Sequence, residues 1–130
     1  MNRASTTLGQ RVGGALPIAV IAITMLLGGV SHLVAPEQFM ALVPRPLPPH
    51  AVLYITGVVQ LAIGGSVLWS RTRRAAGFAF AVLCLGYLPL HLWDFVRPDP
   101  VFTPPVAASI RVAVQLVFIA TGFTLWRRRL

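Results

Sequence analysis

The sequence contains no lysine, a single cysteine and only three acidic residues among its 130 positions. Charged residues make up 11% of the chain, compared with roughly 25% in ordinary soluble domains, and apolar residues make up 56%. A soluble helical bundle needs charged side chains at helical spacing along its outer faces, and the long apolar runs of this chain lack them. The composition therefore argues against a soluble domain and favours a membrane protein.

The same scarcity limits thiol and metal chemistry. Because Cys84 is the only cysteine, the chain alone cannot run a dithiol–disulfide cycle, and we expect this residue to pack as a small apolar side chain. Three histidines are present, but His50 lies at the edge of a proline-rich loop and no closely spaced set of histidine, cysteine and aspartate appears. We therefore favour the absence of a metal site.

Four apolar runs of about twenty residues each match the length of a helix that crosses a bilayer. The predicted spans cover residues 14–34, 51–69, 75–96 and 106–126. A secretory signal is the alternative for the first run, which exceeds the usual apolar core of about 7 to 15 residues. We predict an all-α integral membrane four-helix bundle, with a single domain over residues 14–126, a cytoplasmic tail over 1–13 and a basic cytoplasmic C-terminus over 127–130.

Arginine supplies all eleven permanently basic residues, and it is unevenly distributed between the two sides of the predicted bundle. Arg45 and Arg97 lie in the loops of one side, and Arg111 lies inside the fourth span. Eight lie on the other side, at Arg3, Arg11, Arg71, Arg73, Arg74, Arg127, Arg128 and Arg129. Because arginine is enriched on the cytoplasmic side, we predict that both termini are cytoplasmic.

The net charge of +8 then reflects topology and attraction to anionic lipid headgroups. Without basic–aromatic interleaving, it does not indicate nucleic-acid binding.

Proline dominates the two loops that this orientation places outside. Pro36 suits the first turn of a short helix, and Pro44 is expected to end it. The apolar residues between them predict a short interfacial helix that covers the bundle as a lid. They are Phe39, Met40, Leu42 and Val43.

Polar residues are confined to the outer half of the predicted bundle. Tyr87, His91 and Asp94 follow helical spacing and share one face of the third helix, and Pro89 is expected to bend this helix and widen the outer half. We therefore predict a polar pocket there, with an aromatic ring of its ligand between Tyr87 and Phe118. The candidate ligand-binding residues are His32, Gln60, Tyr87, His91, Asp94, Arg111 and Gln115.

A purely structural role is the alternative for several of these residues. Asp94 and Arg111 are expected to lie at similar depth, so they are predicted to form an ion pair that either locks two helices together or marks a ligand site. We expect Gln60 and Gln115 to form hydrogen bonds between helices rather than to contact a ligand.

The sequence resembles the DoxX-like family of small four-helix bacterial membrane proteins from Gly28 to about Phe118. The segments that carry this resemblance are GGVSHLVAPEQFMALVPRPLPPHAVLYITGVVQLAIGG, RTRRAAG, YLPLHLW and RVAVQLV, in that order. The resemblance implies the bacterial cytoplasmic (inner) membrane and a link to redox systems that use membrane quinones. Two positions depart from the family pattern, because Gln60 stands where it suggests glutamate and His91 where it suggests asparagine.

Two classes of function follow from these observations. The first is a redox-associated subunit or binding protein whose outer pocket accepts a quinone-like or other small amphiphile, with His91 and Arg111 as its main polar contacts and His32 on the opposing wall. The second is a non-catalytic membrane scaffold for a partner protein. A small transporter is less favoured, because the inner half lacks a polar path. The sequence leaves open whether the protein is catalytic and whether it forms a homo-oligomer.

Overall fold

The protein, for which a computed structural model describes residues 3–128, consists of four long helices and one short helix over that range. Side chains are described for residues 9, 10 and 13–128. The helices are α1 (Arg3–Val34), a 3₁₀ helix (Pro36–Leu42), α2 (Pro49–Leu68), α3 (Arg73–Trp93) and α4 (Val106–Arg127). No strand occurs among the described residues, so the predicted all-α class is confirmed.

Each of the four long helices contains a stretch that is long and apolar enough to cross a membrane. These stretches are Gly13–Val34, Pro49–Leu68, Arg73–Trp93 and Val106–Arg127. Large apolar side chains are exposed on all four helices, including Leu27, Val58, Leu85 and Val117. A soluble protein would leave few such surfaces open to water, so these helices indicate a multi-pass membrane protein.

Most helix ends differ from the predicted spans by three residues or fewer, but α1 begins eleven residues before the predicted start. The α1 helix begins at Arg3, so it includes most of the segment that we assigned to a tail. The α3 helix ends at Trp93, three residues before the predicted end, and the next backbone N–H groups turn back to the carbonyls of its last turn. Asp94 therefore follows the helix, and its carboxylate is free to accept bonds from the loop. Pro89 lies inside α3, while the predicted bend there stays a prediction.

Close glycine contacts organise the bundle into two antiparallel helix pairs. In the first pair, a Cβ atom at Gly29 of α1 would lie 2.8 Å from the carbonyl oxygen of Gly57 of α2. In the second, a Cβ atom at Gly122 of α4 would lie 2.6 Å from the carbonyl oxygen of Gly77 of α3. Small residues allow membrane helices to approach this closely. The α1 helix packs mainly on α2 and α3 mainly on α4, with fewer contacts between the pairs.

The interior is apolar at the end of the bundle where α1 begins and α4 ends. Its buried cluster is Ile21, Ala22, Met25, Ile63, Val67, Ala76, Phe80, Cys84 and Leu125. Cys84 belongs to this cluster, as predicted. The buried polar side chains of the described residues are Gln60, Asp94 and Gln115, and they lie from the middle of the bundle toward its other end. The predicted one-sided polarity is therefore present.

The short helix predicted after α1 is present as the 3₁₀ helix Pro36–Leu42. Its Phe39 ring lies 4.7 Å from the ring of His32, measured between centroids. The chain then continues to α2 through residues 43–48. We call the segment 36–48 the roof, because it covers the polar end of the four-helix bundle. Its position relative to a membrane surface stays a prediction.

Candidate ligand-binding cavity

A cavity of about 360 Å³ lies beneath the roof, among the polar ends of the long helices. Its lining combines apolar side chains of the roof with polar side chains of the bundle. The lining residues are His32, Phe39, Leu42, Val43, Pro44, Leu47, Val52, Leu53, Thr56, Gln60, Gly86, Tyr87, Pro89, Leu90, His91 and Arg111. Five of the seven predicted site residues are among them, whereas Asp94 and Gln115 are not.

One wall of the cavity carries a hydrogen bond between α1 and α2. His32 Nδ1 lies 3.1 Å from Thr56 Oγ1, and the Thr56 hydroxyl donates to the carbonyl oxygen of Val52 at 2.9 Å. The direction of this bond depends on the His32 tautomer. If the single Thr56 proton goes to a carbonyl oxygen, Nδ1 donates and Nε2 of the neutral ring is an acceptor; if it goes to Nδ1, Nε2 carries the ring proton and is a donor.

A second polar contact joins α2 to α3 deeper in the cavity. The side-chain Nε2 of Gln60 donates to the hydroxyl oxygen of Tyr87 at 3.1 Å, which leaves the proton of that hydroxyl for another acceptor. Gln60 Oε1 is buried without a hydrogen-bond partner among the described residues. This oxygen lies beside Gly28, where an added Cβ atom would approach it to 2.5 Å. A side chain at position 28 would therefore displace the end of the Gln60 side chain.

Arg111 lines another wall of the cavity, and its predicted ion pair with Asp94 is confirmed. Arg111 Nη1 donates to Asp94 Oδ2 at 2.7 Å, and the side chain of Asp94 is 1% exposed. Asp94 lies behind Arg111 and does not reach the cavity. Its other oxygen, Oδ1, accepts the backbone N–H of Val101 at 3.1 Å, and it lies 3.7 Å from Arg97 Nη1. The guanidinium of Arg111 also covers the ring of Phe102 at 4.3 Å.

Arg97 connects this ion pair to the roof. Its Nη1 donates to the carbonyl oxygen of Ala41 at 3.2 Å, and its guanidinium lies 4.3 Å from the centre of the Trp93 ring. The same nitrogen faces Asp94. One arginine therefore links the roof, the end of α3 and the carboxylate that pairs with Arg111.

His91 lies between this cavity and a second one, and it lines both. Its Nδ1 is buried and has no hydrogen-bond partner among the described residues. A buried polar atom without a partner costs about 1–3 kcal/mol, and such atoms are rare in native proteins unless they have a function or an undetected partner.

The second cavity opens between α3 and α4. It is lined by His91, Phe102, Ala107, Ile110, Arg111, Val114, Gln115 and Phe118. Tyr87 lines the first cavity and Phe118 the second, so the structure does not place these two rings around one ligand. Gln115 is buried, and its Nε2 donates to the carbonyl oxygen of Cys84 at 2.6 Å. This bond between α3 and α4 agrees with the structural role predicted for Gln115.

Two residues of this region were missed by the sequence analysis. Thr56 lies one turn before Gln60 on the same face of α2, so its spacing would have placed it in the cavity. Phe102 lies in an irregular loop, where no periodicity indicates which side chain turns toward Arg111. Metal ligands are not gathered here, because no group of three histidine, cysteine or acidic side chains occurs among the described residues.

The chain belongs to the family described as "Domain of unknown function (DUF8561)", whose model matches residues 21–126. This match covers every residue that lines the two cavities. No curated protein and no solved structure matches the chain. The family description states no activity and names no relation to the DoxX-like proteins, so that resemblance stays a prediction.

Proposed function

We propose that this protein binds a small quinone-like amphiphile in the cavity beneath the roof, as a redox-associated subunit or binding protein of the bacterial inner membrane. The observation that carries the proposal is the convergence of six polar side chains on one mostly apolar cavity, among them His32, Tyr87, His91 and Arg111. Small-molecule sites combine a mostly apolar lining with a few polar groups that orient the ligand. This cavity has that composition.

The size and hydrogen-bonding groups of the cavity support a ligand with one polar ring. Its volume of about 360 Å³ lies at the lower end of the range for small-molecule sites, about 300–1,000 Å³. The Tyr87 hydroxyl and the free N–H groups of Arg111 can donate to carbonyl oxygens. Apolar roof residues such as Phe39 and Leu42 would contact the body of the ligand.

The redox part of the proposal rests on the resemblance to DoxX-like proteins. A quinone carries the electrons in such a reaction, while the chain supplies binding, orientation and proton donors. The lone Cys84 cannot serve as a dithiol. Electron transfer would therefore need a partner protein or an additional bound cofactor.

A cavity that opens toward the outer face requires the predicted orientation, which cysteine labelling can test. In a Cys84→Ala background, we expect Leu47→Cys to react with a membrane-impermeant maleimide in intact cells, and Ser70→Cys to react only after the membrane is permeabilised. The reason is the arginine-rich segment 70–74, which favours the cytoplasmic side. Labelling of Ser70→Cys but not of Leu47→Cys in intact cells would reverse the orientation.

Histidine variants test the binding site itself. We expect His91→Ala to weaken the binding of a short-chain benzoquinone by about tenfold, since the ligand loses a hydrogen-bonding neighbour. His50→Ala is the matched control, because His50 is exposed and lies outside both cavities. Binding is measured as ligand-induced thermal stabilisation of purified protein, which rises with ligand concentration above Kd.

Equal loss in His91→Ala and His50→Ala would contradict the site, as would an absence of stabilisation in the wild type. The second result would favour the alternative function, a scaffold for a partner protein. That alternative is supported by the Asp94–Arg111 pair and the Gln115–Cys84 bond, in which polar groups satisfy one another inside the bundle. A scaffold would retain its partner in pull-down experiments with all of these variants.

A further inference from the structure

We propose that the end of the bundle where α3 begins and α4 ends binds the headgroup of an anionic phospholipid. The site consists of the guanidinium groups of Arg74 and Arg127 and of an aromatic cluster about one helical turn deeper in the bundle. It is separate from the cavity beneath the roof, and it does not depend on the function proposed for that cavity.

The first step is the charge at this end of the bundle. Its described charged residues are all arginines, namely Arg71, Arg73, Arg74, Arg127 and Arg128. The three acidic residues of the chain all lie at the opposite end, in the roof or in the loop between α3 and α4, and they are Glu37, Asp94 and Asp99. The carbonyl ends of α2 and α4 add only partial negative charges. No acidic side chain therefore balances these arginines.

Two of the arginines are held in place by backbone carbonyl groups. Arg73 donates to the carbonyl oxygens of Val67 at 3.1 Å and Leu68 at 3.2 Å, so its guanidinium is bound to the end of α2. Arg74 Nε donates to the carbonyl oxygen of Trp126 at 3.0 Å, which places its guanidinium at the end of α4. The Nη1 and Nη2 groups of Arg74 have no partner among the described residues, so they can bind an anion.

Helix geometry places Arg74 and Arg127 on the same side of the bundle. Arg74 and Phe78 are four residues apart on α3, so they share one face of that helix. Phe123 and Arg127 have the same spacing on α4 and also share a face. The rings of Phe78 and Phe123 lie 6.4 Å apart, measured between centroids. The two faces therefore adjoin, with both arginines at the end of the bundle and both rings one turn deeper.

Trp126 completes the aromatic cluster beneath the two arginines. Its ring centroid lies 4.9 Å from that of Phe78 and 6.0 Å from that of Phe123. Phe78 is 42% exposed and Trp126 is 38% exposed, so the cluster faces the surroundings of the bundle. Aromatic side chains are enriched at the level of the lipid headgroups. Free guanidinium groups above exposed rings match a molecule with an anionic head and an apolar body.

An anionic phospholipid has both of these parts. Arginine binds phosphate oxygens through paired, charge-assisted N–H bonds, and clusters of arginine at the membrane surface attract anionic lipids. A phosphatidylcholine headgroup also carries a phosphate, but its own quaternary ammonium cancels the net charge and would be repelled by the arginines. The acyl chains would lie against the aromatic cluster, a contact that a soluble phosphate lacks.

Native mass spectrometry of the full-length protein in mild detergent can compare dioleoylphosphatidylglycerol with dioleoylphosphatidylcholine. We expect the wild type to bind the phosphatidylglycerol at least about tenfold more tightly. Arg74→Gln and Arg127→Gln should each lower this preference by at least about fivefold. Arg71→Gln is the matched control, because it removes the same charge at the same end from an exposed turn outside the site. Its preference should stay within about twofold of the wild type.

Equal loss in all three variants would make the preference a diffuse effect of net charge and would overturn the site. The absence of a preference in the wild type, or its retention in folded Arg74→Gln or Arg127→Gln protein, would also overturn it. If Arg74→Gln does not fold because the bond to Trp126 is lost, Arg127→Gln decides.

Glycerol 3-phosphate separates a lipid site from a site for soluble phosphates. It should bind at least about 100-fold more weakly than the phosphatidylglycerol, since it has no acyl chains for the aromatic cluster. Binding as tight as that of the lipid would overturn the assignment to a phospholipid.

Discussion

Replacing Asp94 with asparagine is expected to lower the free energy of unfolding by about 3–5 kcal/mol, the usual cost of leaving one partner of a buried ion pair without its counter-ion. The carboxylate is 1% exposed and lies 2.7 Å from the guanidinium of Arg111, so water cannot replace it. Asparagine can still accept the Val101 N–H, which confines most of the loss to the ion pair. The double variant Asp94→Asn/Arg111→Gln should lose less than Asp94→Asn alone, because the guanidinium at position 111 is removed together with its counter-ion and Arg97 alone loses its contact with position 94.

Thermal unfolding in mild detergent gives this comparison for the wild type, both single variants and the double variant. Asp99→Asn is the matched control, since Asp99 is an exposed carboxylate close by in the same loop and its removal should change stability little. Losses that simply add in the double variant would show that the two side chains do not stabilise the bundle as a pair.

Replacing Gly122 with alanine is expected to separate α3 from α4 and to destabilise the bundle by about 1–3 kcal/mol or more. The added Cβ atom would lie 2.6 Å from the carbonyl oxygen of Gly77 and 2.9 Å from the backbone nitrogen of Ala81. Backbone atoms cannot rotate away as a flexible side chain can, so relief requires the helices to move apart. The expected readout is a lower melting temperature and a broader elution profile of purified protein.

Gly65→Ala is the matched control for this substitution. An added Cβ atom at Gly65 meets nothing within 4 Å, and alanine has a higher helix propensity than glycine. This variant should therefore be as stable as the wild type or slightly more so. Equal melting temperatures for Gly122→Ala and Gly65→Ala would mean that the close approach of α3 and α4 does not contribute to stability.

The sequence predicts the four long helices well because each apolar run is bounded by residues that end helices or resist burial. Pro49 and Val106 begin helices within two residues of their predicted starts. The end of α3 was placed three residues too late, because apolar residues continue to Val96 although the helix ends at Trp93. Hydropathy reports where a chain is apolar, and it does not report where the hydrogen-bond pattern changes.

Helical spacing also predicts which polar residues of the long helices point inward. His32, Gln60, Tyr87, His91 and Arg111 share the first cavity, as their positions on the inner faces indicate. Spacing does not predict how the helices rotate against one another, and this rotation divides the polar region into two cavities. The separation of Tyr87 from Phe118 is therefore a result of packing.

Contacts made by the loops were the least predictable. Arg97, Val101 and Phe102 all approach Asp94 or Arg111, yet they belong to an irregular segment without a repeating pattern. Their positions depend on the path of the chain between two helices. The ion pair was predictable because both members were assigned to regular helices at similar depth, whereas its neighbours were not.

The four helices make more contacts within the two pairs than between them, and this difference affects how well the cavity survives purification. Each helix pair holds together through its own glycine contact, while the cavity takes its lining from both pairs, with His32 and Gln60 on one side and His91 and Arg111 on the other. A molecule bound there would contact both pairs and would stabilise the junction between them, so a detergent that loosened this junction would be expected to weaken its binding. Gentle extraction with native lipid is accordingly the condition under which an endogenous occupant would survive purification.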